Sequence, residues 1–447
     1  MEENIGDVIL LFDNYSSDSE NLYNSFRSAG CSYPAAVIDD DGFLPEGILS
    51  VYGSFLGDFE GKPEVPGQPR YFNEIQVPDY WEITGTNSGG KIQDMYRERG
   101  NIFYAQPTHK RLVRIVDWKD EKGIVRSSDH YNRFGALYAR TTFNKDGKKV
   151  NKSYFDASGC EIIVENYITG DIILNEDSCV HIFPGKTEFV VYFMQKMGYD
   201  KRRVYFNSLS TPFFVSNRLS GQRKDDILFW QEPISKEIPG NMQMILKGEA
   251  ARTTRIYVQK KLSYERLLEL GASPEMVQRK GFVYPFVREN THRPETLICT
   301  NSDRVEHLQQ IVEALPEVQF HVAALTEMSS KLMSIGSYEN VHLYPGVRTS
   351  VLDDLFRECD FYLDINREAE IVSAVRRAFL NNQVLLGFQE TLHNKEYVAP
   401  EHVYALKESE KLIDDLRKMV QNASLLEQHL EIQKTHALSE KPEAYVF

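Results

Sequence analysis

Residues 130–159 read HYNRFGALYARTTFNKDGKKVNKSYFDASG, and one phrase recurs three times within them. An aromatic residue is followed by Asn or Asp, two variable positions and Gly, as in YNRFG at 131–135. Asn and Asp favour the first position of a tight turn, and Gly adopts a positive φ at little cost. The phrase therefore predicts β-hairpins that follow one another along the chain.

The same spacing continues on both sides of this stretch. Turn glycines recur at intervals of eleven or twelve residues, at Gly123, Gly135, Gly147, Gly159 and Gly170. The segments between them are rich in β-branched and aromatic residues, which favours strands. We therefore predict an antiparallel meander of five or more strands and assign it to residues 61–178.

Alternating strands and helices flank the meander. Before it, 8–12 and 35–38 read as buried strands, and Asp18 or Ser19 is placed to cap a helix between them. After it, the predicted strands are 203–206, 227–230, 255–258, 282–284, 296–299, 318–322, 341–344, 361–364 and 384–386. The predicted helices are 188–197, 263–270, 305–315, 351–359, 371–380 and 412–430. Repeated βα units predict parallel sheets with helices on both faces.

The economical architecture is α/β, with two Rossmann-type doubly wound domains and the β-meander inserted in the first. The first Rossmann-like domain takes residues 1–60 and 179–288, and the meander domain takes 61–178. The second Rossmann-like domain takes 289–447 and includes a C-terminal helix. Ligands of doubly wound sheets bind beyond the carboxyl ends of the strands, so a site is expected there.

Composition narrows the class of function. The net charge of −14 over 447 residues argues against nucleic acid as a partner, because phosphate binding requires a basic surface. Five scattered cysteines without a C-x-x-C pair indicate a reducing compartment. The first residues lack a basic and apolar leader, and no apolar run is long enough to span a membrane. We expect a cytoplasmic protein that at most lies on the inner face of the cell membrane.

Most motifs of catalysis are missing. No G-x-G-x-x-G follows a strand, and neither H-E-x-x-H nor G-x-S-x-G occurs. The GKT at 185–187 resembles the end of a phosphate loop, but Val180 stands where that loop needs its first glycine. We therefore predict no cofactor and no metal site.

Residues 364–388, DINREAEIVSAVRRAFLNNQVLLGF, resemble the nucleotide-sugar segment of two-domain glycosyltransferases of the GT-B fold. Retaining members commonly carry two glutamates eight positions apart here, whereas position 376 is Arg and position 378 is Ala in this chain. Those enzymes also hold the donor diphosphate with an Arg and a Lys after the first strand of the second domain, and the Lys is absent here. The resemblance implies a vestigial donor cleft lined by Arg304, Asn366, Glu368 and Glu370. Ordinary helix-start roles for Arg304 and Glu370 are the alternative.

The resemblance extends to nearly the whole chain. GFLP at 42–45, RYFN at 70–73, VPDYWEI at 77–83 and DHYN at 129–132 are similar to the stabilising subunit of the accessory Sec glycosyltransferase complex. That family implies a catalytically silent chaperone that joins a catalytic sister subunit in a heterotetramer. The sister transfers N-acetylglucosamine from UDP-N-acetylglucosamine to Ser and Thr of serine-rich repeat adhesins before export. The implied partners are this glycosyltransferase and the unfolded serine-rich acceptor.

The charge of the meander points to a binding surface. Residues 110–152 contain twelve basic and five acidic residues in an otherwise acidic chain. A broad sheet also has edges and faces that a partner can cover. We predict that the meander binds the partner or the acceptor through Arg126, Tyr131, Arg140, Phe143, Lys152, Phe155 and Tyr167. The alternative for the meander is an ordinary solvated sheet. The alternative for the whole chain is an active retaining glycosyltransferase with a UDP-sugar donor.

Overall fold

The structure, a computed structural model, describes residues 7–59, 62–63, 67–176, 178–220 and 223–447. Its strands are β1 (Val8–Phe12), β2 (Ala35–Val37), β3 (Ile48–Ser50), β4 (Asp58–Phe59), β5 (Lys62–Pro63), β6 (Trp81–Gly85), β7 (Gly90–Asp94), β8 (Arg97–Tyr104), β9 (Val113–Lys119), β10 (Val125–Tyr131), β11 (Leu137–Phe143), β12 (Lys149–Phe155), β13 (Glu161–Asn166), β14 (Ile172–Glu176), β15 (Cys179–Phe183), β16 (Arg203–Phe206), β17 (Asp226–Trp230), β18 (Thr253–Val258), β19 (Val277–Arg279), β20 (Glu295–Cys299), β21 (Gln319–Ala323), β22 (Val341–Tyr344), β23 (Phe361–Asp364), β24 (Val384–Phe388) and β25 (Val403–Tyr404). Its α-helices are α1 (Ser17–Ser28), α2 (Lys186–Lys196), α3 (Thr211–Arg218), α4 (Gly240–Leu246), α5 (Lys261–Glu269), α6 (Leu308–Ala314), α7 (Ser330–Ser334), α8 (Thr349–Glu358), α9 (Ala374–Leu380), α10 (Ser409–Gln421) and α11 (Ala423–His436).

The chain forms two compact units that divide between Lys280 and Gly281, whereas the sequence placed the boundary at 288/289. The difference arises because Phe282 and Tyr284 bond to the C-terminal region of the second unit. The Phe282 amide donates to the Leu438 carbonyl at 2.8 Å, and the Tyr284 hydroxyl donates to the carbonyl of Ala437 at 2.9 Å. The predicted strand at 282–284 is wrong, since Phe282 makes an isolated bridge there instead.

The first unit contains a parallel sheet. Among the described residues its strand order is β19-β18-β17-β16-β1-β2-β3, and its pairings are all parallel. Each residue of β1, an interior strand of this sheet, is buried. Helix α1 is capped by Ser16, whose hydroxyl accepts a hydrogen bond from the Ser19 amide at 3.2 Å, so the cap precedes the predicted position. The doubly wound βα pattern that the sequence predicts is confirmed.

The meander is a separate antiparallel sheet in the same unit. Within the described chain, ten strands, β6 to β15, pair in chain order. The turn glycines have φ between +74° and +85°. In the turn after β11, the Asn144 side-chain oxygen accepts hydrogen bonds from the amides of Asp146 and Lys148, each at 2.9 Å. Hairpins opened by Asn or Asp and closed by Gly are therefore confirmed.

The sheet reaches one strand beyond the predicted limit at residue 178. Strand β15, which the sequence assigns to the first Rossmann-like domain, pairs antiparallel with β14 through five residue pairs. The turn between β14 and β15 contains no glycine, and Ser178 adopts the positive φ of +65° there. The phrase that predicts the earlier turns, an aromatic residue, Asn or Asp, two variable positions and Gly, does not occur at this turn.

The two faces of the meander have different surroundings. We call the inner face the one that carries the cross-strand row Ala139, Tyr154, Ile163 and Leu174, and the outer face the one that carries Arg140, Ser153, Val164 and Ile173. The inner row belongs to the same hydrophobic core as the first sheet, with the Tyr52 and Tyr154 rings stacked 4.5 Å apart. Residues 72–77 cover the part of the outer face near β7–β9 in a smaller core, since Val116 and Ile102 lie in the same cross-strand row as Arg140. The meander is therefore anchored to its unit through the inner face.

The second unit is built on a second parallel sheet. Its order in the described chain is β22-β21-β20-β23-β24-β25. Helices α6, α10 and α11 cover one face. The predicted helix at 412–430 is two helices, because Asn422 leaves the helical conformation and its side chain caps α11. Among the described residues, no helix has the length and apolarity of a membrane span.

Candidate functional site

Two loops meet at the carboxyl end of the second sheet, where the sequence predicts the vestigial donor cleft. One loop follows β20 and the other follows β23. The Glu306 amide donates to the Ile365 carbonyl at 2.9 Å, and the Arg367 amide donates to the Arg304 carbonyl at 2.9 Å. Val305 and Asn366 form an antiparallel bridge between them. The loops are thus joined by their own main chains.

The charged side chains of these loops are paired as well. The Arg304 guanidinium lies 2.6 Å from a Glu368 carboxylate oxygen, and Arg367 lies 2.5 Å from Glu306. Asn366 is buried, and its side-chain oxygen accepts the hydroxyl hydrogen of Thr300 at 2.9 Å. A diphosphate is held by cations and donors directed at its oxygens. Here Arg304 and Arg367 are directed at carboxylates of the chain itself.

Glu370 caps a helix. Helix α9 begins at Ala374, later than the predicted start near Glu370, because Val372 and Ser373 adopt φ of +51° and +52°. The Glu370 carboxylate reaches past them and accepts the Val375 amide at 2.8 Å. Burial raises the pKa of Glu370, whereas this hydrogen bond acts to lower it. The helix-start alternative therefore describes the position of Glu370, but not that of Arg304, since α6 begins at Leu308.

His393 is a site residue that the sequence analysis did not single out. Its Nδ1 lies 2.6 Å from a carboxylate oxygen of Asp364, and its Nε2 lies 2.6 Å from the Glu368 carbonyl. Both partners only accept, so both ring nitrogens donate and the imidazole is cationic. Burial lowers the pKa of His393, but the hydrogen bond and charge of Asp364 raise it to about 9. No local motif marks this residue, which follows β24 in a polar loop.

Replacement of His393 by Gln is expected to destabilise the protein at neutral pH and much less in alkali. The folded-state pKa lies above the unfolded value near 6.5, so the stabilisation is complete below that value and is lost as pH rises through about 9. We expect a loss of ~1–3 kcal/mol at pH ~6 that shrinks by pH ~10. Urea unfolding followed by circular dichroism measures it, with His342→Gln on an exposed position as the control. A loss that is independent of pH would contradict a cationic role.

The outer face of the meander bears a concavity of about 520 Å³. Its lining residues are Arg70, Gln76, Trp118, Ser127, Asp129, Tyr131, Leu137 and Arg140. The Asp129 carboxylate accepts the Trp118 indole N–H at 2.9 Å and two N–H groups of Arg140 at 2.5 and 3.1 Å. Because the guanidinium is held at two points and the Arg140 side chain is 45% exposed, Arg140 presents an oriented cation at the surface.

Lys152 and Tyr167 lie apart from this concavity. Lys152 is the cross-strand partner of Glu165, and its neighbour Ser153 is the partner of Arg140, so Lys152 and Arg140 point to opposite faces. Burial lowers the pKa of Lys152, although Glu165 opposes that shift. The Tyr167 hydroxyl donates to Glu165 at 3.1 Å. The seven predicted residues therefore do not share one surface.

The remaining three predicted residues lie on β10, β11 and β12. Arg126 is 3.7 Å from Asp120 across the same hairpin, and its side chain is 40% exposed. Phe143 and Phe155 are the last residues of their strands and are partly buried. Of the predicted set, the structure brings together Tyr131 and Arg140 in the concavity.

Two doubly wound parallel sheets and the inserted meander give the chain the fold of the GT-B class of glycosyltransferases. At the level of fold, the structure of the pneumococcal O-GlcNAc transferase GtfA in complex with UDP and GlcNAc aligns with a TM-score of 0.50 and 12% identity over 97% of this chain and 96% of that one. The chain belongs to the family of GtfB stabilising proteins. Family models for the GtfB N-terminal, middle and third domains match residues 9–55, 81–184 and 186–270. A GftB/GlyA-F C-terminal domain model matches 296–433.

Individual relatives agree with this assignment. The UDP-N-acetylglucosamine–peptide N-acetylglucosaminyltransferase stabilizing protein GtfB of Streptococcus pneumoniae serotype 4 is 41% identical over 96% of both chains. The protein of the same name from Streptococcus agalactiae is 42% identical over 98% of both. A crystal structure of a GtfA/B complex bound to UDP and GlcNAc contains a chain that aligns with a TM-score of 0.91 and 39% identity over 98% of both chains. The predicted resemblance to a stabilising subunit is confirmed, and that role is favoured over an active glycosyltransferase.

Proposed function

We propose that this chain is the non-catalytic subunit of a protein O-GlcNAc transferase. It binds a catalytic glycosyltransferase chain, keeps that chain active and presents an unfolded serine-rich polypeptide to it. The catalytic chain transfers N-acetylglucosamine from UDP-N-acetylglucosamine to Ser and Thr. The observation that carries the proposal is the pair of donor loops closed on each other, in a chain of the stabilising-protein family.

We assign the contact with the catalytic chain to the outer face of the meander, around the Arg140 concavity. The inner face is already covered by the first unit's own core. Asp129 engages Nε and Nη2 of Arg140, so Nη1 of the oriented guanidinium is the group that faces an acidic side chain of a partner, and its geometry is fixed before binding. The positive balance of residues 110–152 adds long-range attraction.

The assembly we propose is a heterotetramer of two such chains with two catalytic chains. It acts as a chaperone of the acceptor in the cytoplasm and lies against the inner face of the cell membrane before export. Light scattering of the co-expressed proteins measures the stoichiometry, and flotation with vesicles measures the membrane contact.

The catalytic assignment is tested with the purified chain, labelled UDP-N-acetylglucosamine and a serine-rich peptide. We expect no transfer by this chain alone, and transfer once the catalytic chain is added. The closed loops supply the reason, because Arg304 and Arg367 already hold carboxylates. Robust transfer by the chain alone would refute the proposal.

Replacing Arg304 or Glu368 by Ala is expected to leave the transfer rate of the complex unchanged within about twofold, because the donor is bound by the catalytic chain. Both side chains are largely exposed, at 62% and 48%, so their ion pair contributes less than ~1 kcal/mol to stability. Initial rates at saturating donor measure the effect. A loss of tenfold or more would mean that this chain holds the donor.

A further inference from the structure

Strand β15 forms one edge of the meander in the described part of the chain. Edge strands expose a row of main-chain N–H and C=O groups, and natural proteins protect them with Lys, Pro, inward charges or bulges. The sequence of β15 is CVHIF, which contains no charged residue and no proline. Its pairing with β14 runs without a register shift, whereas several other pairings of this sheet contain one. This edge therefore lacks the usual protection.

The outer face of β15 is also apolar. Val180 is 64% exposed and Ile182 is 66% exposed. Ile182 is the cross-strand partner of Ile173, which in turn is the partner of Val164. These three side chains make a β-branched row that ends at the free edge. Neighbouring strands differ in composition, since β12, β13 and β14 each carry at least one charged residue.

We propose that β15 receives an extended segment of the serine-rich acceptor as an added strand. Main-chain hydrogen bonds would hold the segment, and small uncharged side chains would lie beside Val180 and Ile182. The inference rests on the proposed function, because it names where that function's acceptor binds. It places acceptor binding on the first unit, at β15. This strand lies four strands along the sheet from β11, which carries Arg140.

The size of the edge favours a peptide over a second copy of the chain. Five residues span only ~17 Å, so a strand added along this edge covers a small part of the ~1,200–2,000 Å² that a stable protein interface buries. A short added strand is typical of a peptide that binds weakly and dissociates, as an acceptor must after it has been modified. Hydrogen bonds to the main chain are also independent of side-chain identity, so they allow successive segments of a repetitive acceptor to occupy the same edge.

The test uses the full chain and a fluorescent synthetic peptide of Ser-Ala-Ser-Thr repeats. Ile182→Lys and Val180→Lys are expected to weaken binding about tenfold or more, since a Lys disfavours pairing at an edge. Ile168→Lys is the matched control, because Ile168 is 74% exposed in a turn of the same sheet. Hydrogen exchange should become slower at 179–183 when the peptide is bound. A peptide with N-methyl groups on alternate amides should fail to bind.

Each other result overturns the inference. Equal binding by wild type and Ile182→Lys, with no protection at 179–183, would place the acceptor elsewhere and leave the proposed function standing. If the peptide binds neither the chain nor its complex with the catalytic subunit, acceptor binding fails and this inference fails with it. If Ile182→Lys converts a dimer of this chain into a monomer, the occupant is a second copy. If it releases the catalytic subunit, the occupant is that subunit.

Discussion

Replacement of Asp226 by Ala is expected to lower the free energy of unfolding of the first unit by ~3–5 kcal/mol, because it leaves a buried Arg without its partner. The carboxylate lies 3.0 Å from Nε of Arg252, and both side chains are at most 1% exposed. It also accepts the Val204 amide at 2.9 Å and the Ser216 hydroxyl at 2.7 Å. This one side chain thus joins β16, β17, α3 and the start of β18.

Asp225→Ala is the matched control for that variant. Asp225 is the preceding residue and pairs with Arg223, but its side chain is 45% exposed, so its loss should cost less than ~1 kcal/mol. All three tryptophans, Trp81, Trp118 and Trp230, belong to the first unit. Tryptophan fluorescence in a urea titration therefore reports this unit specifically. Equal losses for the two variants would contradict the role of the buried pair.

Charge reversal of Arg140 to Glu is expected to weaken binding of the catalytic chain by about 10- to 100-fold, equivalent to the loss of a hydrogen-bonded interface charge. The variant removes the oriented guanidinium and places a carboxylate beside Asp129. Biolayer interferometry at low and moderate salt measures the affinity. Because charge attraction is screened by salt, the difference between variant and wild type should be larger at low salt.

Lys145→Glu provides the comparison for Arg140→Glu. Lys145 lies exposed in the turn after β11, so the charge change is identical and the distance along the chain is small. We expect its effect on affinity to stay within about threefold. Arg140→Ala removes the guanidinium without adding a like charge, so its loss of affinity for the catalytic chain should lie between those of the two charge reversals. If Lys145→Glu weakens binding as much as Arg140→Glu, net charge rather than the Arg140 concavity governs the contact.

The sequence was most informative where the controlling interactions are local. The turn of Asn144 and Gly147 closes within five residues, and its side-chain to main-chain hydrogen bonds need no distant partner. Buried strands such as β1 are equally predictable from the sequence, since their apolar runs are continuous. The last hairpin was missed because Ser178 takes a conformation that the sequence pattern associates with Gly.

The site was less predictable because its contacts join distant segments. Arg304 pairs with Glu368 and His393 pairs with Asp364, and no local pattern reports either pairing. The sequence identified the right loops but gave no indication that they bond to each other. The charge of Lys152 predicts a place on the binding surface, whereas the face that it occupies depends on strand register and on which face the first unit covers.

The strand order of the meander also bears on how the protein is made. Each of its strands pairs with a chain neighbour, so every closure spans a short loop and costs little entropy. By contrast β1 and β16 pair through Val8 and Arg203, with the whole meander between them. During synthesis the meander is able to fold as it leaves the ribosome, and β1 is able to pair with β2, while the other side of β1 must wait for β16. A nascent chain stalled when residue 183 has just left the ribosome should already contain the antiparallel sheet and still lack the completed parallel one.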